Sequence, residues 1–375
     1  MMRSNLCTFQ IFTLAFIIPM VQSFSPSISS RRIIDVAKRK GATQRYRHNK
    51  LLISASKGFG SPTTKVKSKV KNEKTILKQL KKTYGGTSPQ DIARGTQKLI
   101  DEQTKDLPPH IQMALQIYPQ LKRWNQKLEG LNILQQANLP EQEIEGNKRC
   151  EEELNQLMKT HGFDEADLQK IFQKLTWDAS ADAKAARSIT GEMPTDIQRR
   201  VQAGCRLVAK AAGKDGTCLD VGCGYGVLVP YLIKAGVPLK KIYGIDLSAE
   251  MIRNAQTLHP GANFETADFL MYSSKRKYDA IIFCSSLHDL PDPILALQKA
   301  RDLLSPAGGK IIVLHPQGAS HVQKQAQANP ILVQRGLPTS SELKELEGLD
   351  LVIEPAASKS LDESKDGYLA VLKSK

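Results

Sequence analysis

Cys218-Leu-Asp-Val-Gly-Cys-Gly-Tyr-Gly-Val-Leu228 joins a short apolar run, broken by one acid, to three glycines at alternate positions; Val227 to Ala235 then resumes an apolar pattern at helical spacing. The order is strand, tight turn, helix. Glycine lets the backbone turn sharply and lie against a ligand with no Cβ in the way, so Gly222, Gly224 and Gly226 mark a place where a flat polar molecule is held. A dinucleotide-binding turn would carry Gly-x-Gly-x-x-Gly, with its third glycine where helix packs on strand. Val227 stands there instead. Asp220, two residues before the first glycine, also suits a ligand with a cationic amino group better than one with a pyrophosphate.

The pattern acid-x-Gly-x-Gly-x-Gly, met by Asp220, Gly222, Gly224 and Gly226, resembles the first motif of class I S-adenosylmethionine-dependent methyltransferases. The resemblance implies that this turn, Cys223 included, cradles S-adenosylmethionine. Downstream, strand and helix alternate, which predicts a parallel sheet covered on both faces. Lys241-Ile-Tyr-Gly-Ile-Asp246 is a second strand ending on an acid 24 residues after Gly222. A carboxylate there can accept both ribose hydroxyls of an adenosine. Leu247 follows where the family stacks an apolar side chain on adenine, and Ser248 can cap a helix carrying Met251 and Ala255. Phe264-Glu-Thr-Ala-Asp268-Phe269 is a short strand ending in acid then aromatic; the resemblance gives Asp268 the adenine amino group and the Phe269 backbone amide the ring edge.

Tyr278-Asp-Ala-Ile-Ile-Phe283 is a nearly continuous apolar run, as a central parallel strand should be. It opens into Cys284-Ser-Ser-Leu-His288-Asp-Leu-Pro, and Lys310-Ile-Ile-Val-Leu-His315-Pro316 is a fifth strand. Ligands of open parallel sheets bind outside the carboxyl ends of the strands, so Gly222, Asp246, Asp268, Ser285 and His315 converge on one edge. The tail predicts a helix near Ser320 to Arg335, another capped by Ser340 or Ser341, and strands near Leu349 to Glu354 and Tyr368 to Leu372 that complete an antiparallel edge. The fold predicted is α/β: a Rossmann-like, seven-stranded, mostly parallel sheet with helices on both faces, over residues 195–375, preceded by an all-α region over 75–194.

The N-terminal residues have a different character. Of 53 Lys and Arg, 15 lie in residues 1–75 against two of the 38 acids, so the remaining 300 residues carry 38 bases against 36 acids and are nearly neutral. The net charge of +15 therefore implies no nucleic-acid partner for the body, since such domains carry their basic excess within the fold. Leu6 to Val21 are largely apolar but would reach only about 24 Å as a helix, short of a bilayer core of roughly 30 Å. Residues 1–23 read as a signal peptide, and the Ser-, Arg- and Lys-rich, acid-poor residues 24–56, opening at Phe24, as a transit-peptide-like segment. Together they resemble the bipartite leader of nucleus-encoded proteins of complex plastids; secretion with a basic tail is the alternative. Residues 57–74, with lysines at 65, 67, 69 and 71, read as a basic linker. Beyond the leader the cysteines are odd in number with no Cys-x-x-Cys pair, which fits a reducing stroma and neither a disulfide framework nor a zinc site.

The helical region offers punctuation and core stripes. Ser88-Pro89, Pro109, Asp164 and a capping box at Thr195-Asp-Ile-Gln198 are its helix starts, and Thr195 to Ala212 should pack on the sheet. His110 and His161 read as isolated surface or cap residues. Trp177-Asp178 fall in a loop-like run, Thr176 to Ser180, in core packing and a cap, or overhanging the site.

For the chemistry, the sequence puts forward His288, Asp289 and His315, and no metal. His288 titrates in a useful range and Asp289 could orient it; it serves either as a base or as pocket wall. Leu-His-Asp-Leu-Pro resembles the Leu-His-His-Leu-Pro run of small-molecule methyltransferases, and the Asn/Asp-Pro-Pro-aromatic motif of amino-methylating enzymes is absent. These features point to O- or C-methylation of a small organic acceptor in the plastid. The alternatives are a plastid protein or ribosomal RNA as acceptor, or a non-catalytic cofactor-binding assembly factor.

Overall fold

The computed structural model describes residues 77–190, 193–355 and 367–375. The signal peptide, transit-like segment and basic linker read from the sequence lie outside them. The chain divides into two compact units, Met1–Gln97 and Lys98–Lys375. In the first, residues 77–84 are helical and bury Leu80 and Tyr84. Ser88 caps the helix α1, Pro89–Lys105: its hydroxyl accepts from the Asp91 amide at 3.1 Å, and the Asp91 carboxylate accepts from the Ser88 amide in return.

The second unit takes in the end of α1 from Lys98 and continues with helices α2 (Pro109–Glu129), α3 (Ile133–Ala137), α4 (Glu141–His161) and α5 (Glu165–Thr190), of which α2 packs on α4 and α5. The predicted stripe Ile111, Leu115, Ile117 and Leu121 is buried. Asp164 caps α5, accepting from the Asp167 amide at 2.9 Å. Three readings of this region are corrected. Trp177 and Asp178 sit inside α5, because Glu165 to Thr190 contains neither Gly nor Pro and the alanines at 179, 181, 183, 185 and 186 carry the helix onward. Thr195 does not form a capping box: Pro194 holds an extended ψ of 140° as the N-cap of α6 (Thr195–Ala212), so Thr195 is already helical and makes no cap bond. His110 and His161 are not isolated, since their rings stack with centroids 3.9 Å apart.

Seven strands follow: β1 (Cys218–Val221), β2 (Ile242–Asp246), β3 (Asn263–Thr266), β4 (Ala280–Cys284), β5 (Lys310–His315), β6 (Leu349–Ile353) and β7 (Tyr368–Ser374). Their order in the sheet is β3-β2-β1-β4-β5-β7-β6; β1 to β5 are parallel and β7 runs antiparallel between β5 and β6. The predicted mostly parallel sheet with an antiparallel edge is thus observed. Val201, Cys205 and Val208 of α6 and Leu232 of α7 (Val229–Ala235) form one core with Ile242, Ala280, Ile282, Ile312 and Val371. Helix α8 (Ala249–Leu258) packs on β2, β3 and α5, and α9 (Pro293–Leu303) on β5. Because β1 lies between β2 and β4, the connections leave it in opposite directions and open a crevice at its carboxyl end.

Two tail boundaries differ from the sequence reading. Helix α10 (Ala319–Ala328) stops well before Arg335, because Pro330 forces Asn329 out of helical geometry, to φ −146° and ψ 74°. Helix α11 (Ser340–Lys344) is capped by Thr339, not Ser340 or Ser341, since only Thr339 has a glutamate three residues on, Glu342, to complete a capping box.

Candidate functional site

The turn after β1 is hooked to the end of β2: the amides of Gly222 and Cys223 both donate to the Ile245 carbonyl, at 2.8 and 3.0 Å. Gly222 has φ +69°, and a Cβ there would lie 2.5 Å from Ser286 Cβ; Gly226, at φ +79°, would place one 2.6 Å from the His259 ring. Backbone and side chains fill the space that any other residue would need. Cys223 is buried, and burial pushes its thiol well above the ordinary range, so it contributes shape and no reactive thiolate. Ser286 donates its hydroxyl to the Val221 carbonyl at 2.5 Å, tying β4 to the floor of the turn.

Three predicted carboxylates rim this crevice. Asp246 accepts from the Gly224 amide (2.8 Å) through one oxygen and from the Ser248 amide (2.9 Å) through the other. Burial lifts it to about 6, against the pull of those two amides, and the charges of Asp289 and Asp178 raise it further. Asp220 is buried beneath, lifted to about 8 by desolvation and then by Asp246. Asp268, beyond β3, accepts from the Leu270 amide at 3.0 Å. Leu247 is half-buried beside Asp246, and Phe269 is buried edge-on against Phe283, centroids 5.4 Å apart. Ser248 caps α8 by accepting from the Met251 amide at 3.1 Å, as its position predicted.

Across the crevice, Ser285 turns the chain away from β4 at φ +56°, the one non-glycine residue with positive φ among those described. Such backbone costs about 1–2 kcal/mol and clusters at functional sites. It delivers Leu287–Asp289, a single 3-10 turn. His288 is buried there, with Nε2 3.4 Å from an Asp289 oxygen and Nδ1 buried without a partner. Burial lowers His288 to about 4 and raises Asp289 to about 7, the latter opposed by Lys184. His315 is the buried last residue of β5, and its ring meets that of His288 edge-on with centroids 5.0 Å apart.

The sequence missed His321, on the first turn of α10, whose ring centroid lies 5.6 Å from that of His315. His315 Nδ1 and His321 Nε2 are buried without partners, like His288 Nδ1. Gln173 of α5 was missed as well; its amide donates to the carbonyls of Asp289 and, at 3.0 Å, Leu332. No local pattern marks either residue, although a histidine just after a strand-end histidine was a usable signal. Asp178 is a cap, as one reading had it: its Oδ1 accepts from the Ser248 hydroxyl at 2.5 Å and the Glu250 amide at 3.3 Å. Among the described residues no His, Cys, Asp and Glu cluster could hold a metal ion, and no helix is long and apolar enough to cross a membrane.

A glycine cradle with a carboxylate floor fits a cofactor that combines an adenosine with positive charge; it opposes a diphosphate, because carboxylates in one low-dielectric crevice repel added negative charge. S-adenosylmethionine has that composition. Residues 193–349 match the family described as a methyltransferase domain. A ubiquinone biosynthesis O-methyltransferase of Serratia proteamaculans is 30% identical over 100 residues, covering 25% of this chain and 40% of that protein. A trans-aconitate 2-methyltransferase of Rhodopseudomonas palustris is 26% identical over 162 residues, 40% of this chain and 56% of that protein, so the chain spans about half the length of these relatives. Among solved structures, a magnesium protoporphyrin IX methyltransferase of Synechocystis with bound S-adenosylhomocysteine aligns over 54% of this chain and 98% of that one, at 19% identity and a TM-score of 0.39. Over residues 193–349 the chain carries a methyltransferase domain, whose cofactor is S-adenosylmethionine.

Proposed function

We propose that this protein methylates an oxygen or carbon of a small organic acceptor, in a plastid, by in-line transfer. The observation that carries the reading is a juxtaposition: the carboxylate crevice ends at Asp289, close enough for its charge to act on Asp246, and Asp289 adjoins an imidazole whose Nδ1 is buried and unpartnered. When bound, the cofactor supplies a methyl group already activated by its sulfonium, which leaves with the electron pair of the S–CH3 bond remaining on sulfur. The protein aligns the acceptor and excludes water.

Asp246 is the acceptor for the ribose hydroxyls, with both of its oxygens fixed by backbone amides. Asp268 accepts from the adenine amino group, and the Phe269 amide meets the ring. His288 takes the proton of the acceptor O–H or C–H at Nδ1, and Asp289 beside Nε2 stabilises the imidazolium that forms. The imidazole's low proton affinity in the empty site keeps it unprotonated and ready at neutral pH. His315 and His321 offer further ring nitrogens to polar groups of the acceptor.

A small acceptor is supported by the names of the relatives, which methylate in ubiquinone biosynthesis and on trans-aconitate. The nearly neutral body and the exposed, acid-rich helix α4 speak against RNA. The plastid rests on the leader composition alone. The test is incubation of the full chain with methyl-labelled S-adenosylmethionine and separate pools of hydroxylated aromatics, polycarboxylic acids, plastid proteins and ribosomal RNA. Label in a small-molecule pool supports the reading; label confined to protein or RNA contradicts it.

A further inference from the structure

The long helix α5 lies N-terminal to residues 193–349, yet one of its faces grips the loops that build the cofactor site. Lys170 and Gln173 are three residues apart and Asp178 and Asp182 four, with five from Gln173 to Asp178. Lys170 Nζ lies 3.4 Å from Asp268 Oδ2, Gln173 donates to the Asp289 carbonyl, Asp178 caps α8 through Ser248, and Asp182 accepts from Arg253 (3.0 Å) and Asn254 (3.2 Å). Lys170 and Gln173 reach the segments after β3 and β4, and Asp178 and Asp182 reach the start and the middle of α8. A helix serving only to cover the sheet would bury apolar side chains there; here these contacts are polar, and two of them end on residues assigned to the site, Asp268 and Asp289.

Of the four, Lys170 is the one that bears directly on a ligand-binding group. Asp268 has two oxygens to orient. Oδ1 is fixed by the Leu270 amide, while Oδ2, the one left for a ligand, has the ammonium of Lys170 beside it. Lys170 is itself held 3.0 Å from Asp167 Oδ1, and Asp167 is locked to Asp164 by the reciprocal cap that starts α5. The relay Asp164–Asp167–Lys170–Asp268 thus runs from a helix start to the carboxylate expected to meet adenine. Side-chain exposures of 26% and 20% put the Lys170–Asp268 pair among partly shielded ones, where orientation survives salt better than at an open surface.

We propose that Lys170 is a positioning residue of the cofactor site, aiming Asp268 at the 6-amino group of adenine and so making the domain's base selectivity depend on a helix outside the family match. This rests on the assignment of Asp268 to adenine. An oxygen that accepts there favours the amino donor over a base carrying a 6-oxo group in its place.

The test compares calorimetric affinities of the full chain for S-adenosylhomocysteine and for S-inosylhomocysteine, which differ in the 6-amino or 6-oxo group and in the proton that the oxo form carries on N1. Wild type prefers the first. Lys170→Met and Lys170→Gln narrow the preference about two- to fivefold, mainly by weakening S-adenosylhomocysteine, while Lys170→Arg restores it. A purely structural lysine would shift the thermal midpoint and both affinities together, leaving the ratio intact; that result in both neutral variants overturns the proposal. Asp268→Asn separates the two layers of the argument. It narrows the ratio further if Asp268 meets adenine, and an unchanged ratio there overturns the adenine assignment itself.

Discussion

The two halves of the crevice are built on opposite terms. On the cofactor side, beyond β1, β2 and β3, the polar groups are satisfied before any ligand arrives: Gly224, Ser248 and Leu270 amides hold Asp246 and Asp268, and the Ile245 carbonyl holds the glycine turn. On the other side, beyond β4 and β5, which we propose takes the acceptor, His288, His315 and His321 each leave a buried ring nitrogen unpartnered. A buried polar atom without a partner costs about 1–3 kcal/mol, so that side is completed only by what enters it. One half is preorganised for a fixed ligand; the other is shaped by its own.

The largest expected effect breaks the preorganised half. Asp246→Ala removes the acceptor for two hydroxyls, each charge-assisted bond being worth about 1.5–3 kcal/mol, so affinity for S-adenosylmethionine falls by at least about a hundredfold, and the Gly224 and Ser248 amides it leaves unpaired lower the thermal midpoint as well. Unchanged affinity by calorimetry would refute the ribose assignment. Next comes the other half: His288→Ala lowers kcat by about 10²-fold or more while cofactor affinity stays within about threefold. Complete loss of cofactor binding would show that the 287–289 turn belongs to the cofactor half, and unchanged kcat would make His288 a wall.

The buried histidines and the buried acids also carry opposite pH signatures, a smaller effect. His288, His315 and His321 have their proton affinity lowered by burial, so between about pH 4 and 6.5 the unfolded chain binds more protons and stability rises with pH. Asp220, raised to about 8, and Asp289, raised to about 7, act in the reverse sense: the folded chain keeps protons that the unfolded chain has released, so stability falls with pH up to about 8. Above pH 6.5 the acids act alone. The thermal midpoint of the free protein should therefore decline from pH 6.5 to 8, and Asp220→Asn should flatten that decline. Cys205, Cys218, Cys223 and Cys284 face Asp220 electrostatically; burial keeps all four as neutral thiols in this range.

The same contrast explains what could be read in advance. Gly222, Gly224, Gly226, Asp246 and Asp268 owe their places to the backbone of consecutive strand-end turns, so fixed spacing along the chain reports them. His321 and Gln173 owe theirs to packing between elements distant in sequence, where no spacing rule applies. Trp177 and Asp178 show the limit of local chemistry: a run that resembles a loop is helical because alanines extend the helix and Ser248 takes up the aspartate. Thr195 shows it again, displaced from its cap by the proline before it. The sheet itself was legible through its apolar runs, down to the antiparallel β7, since strands buried on both faces need no partner to declare themselves.

The central claim is that the crevice holds an adenosine bearing positive charge and not a dinucleotide. Calorimetric titration of the full chain with S-adenosylmethionine, S-adenosylhomocysteine and NAD in parallel tests it most directly. Saturable binding of the first two, with none of the third, is the predicted result; binding of NAD with silence toward the other two would contradict it.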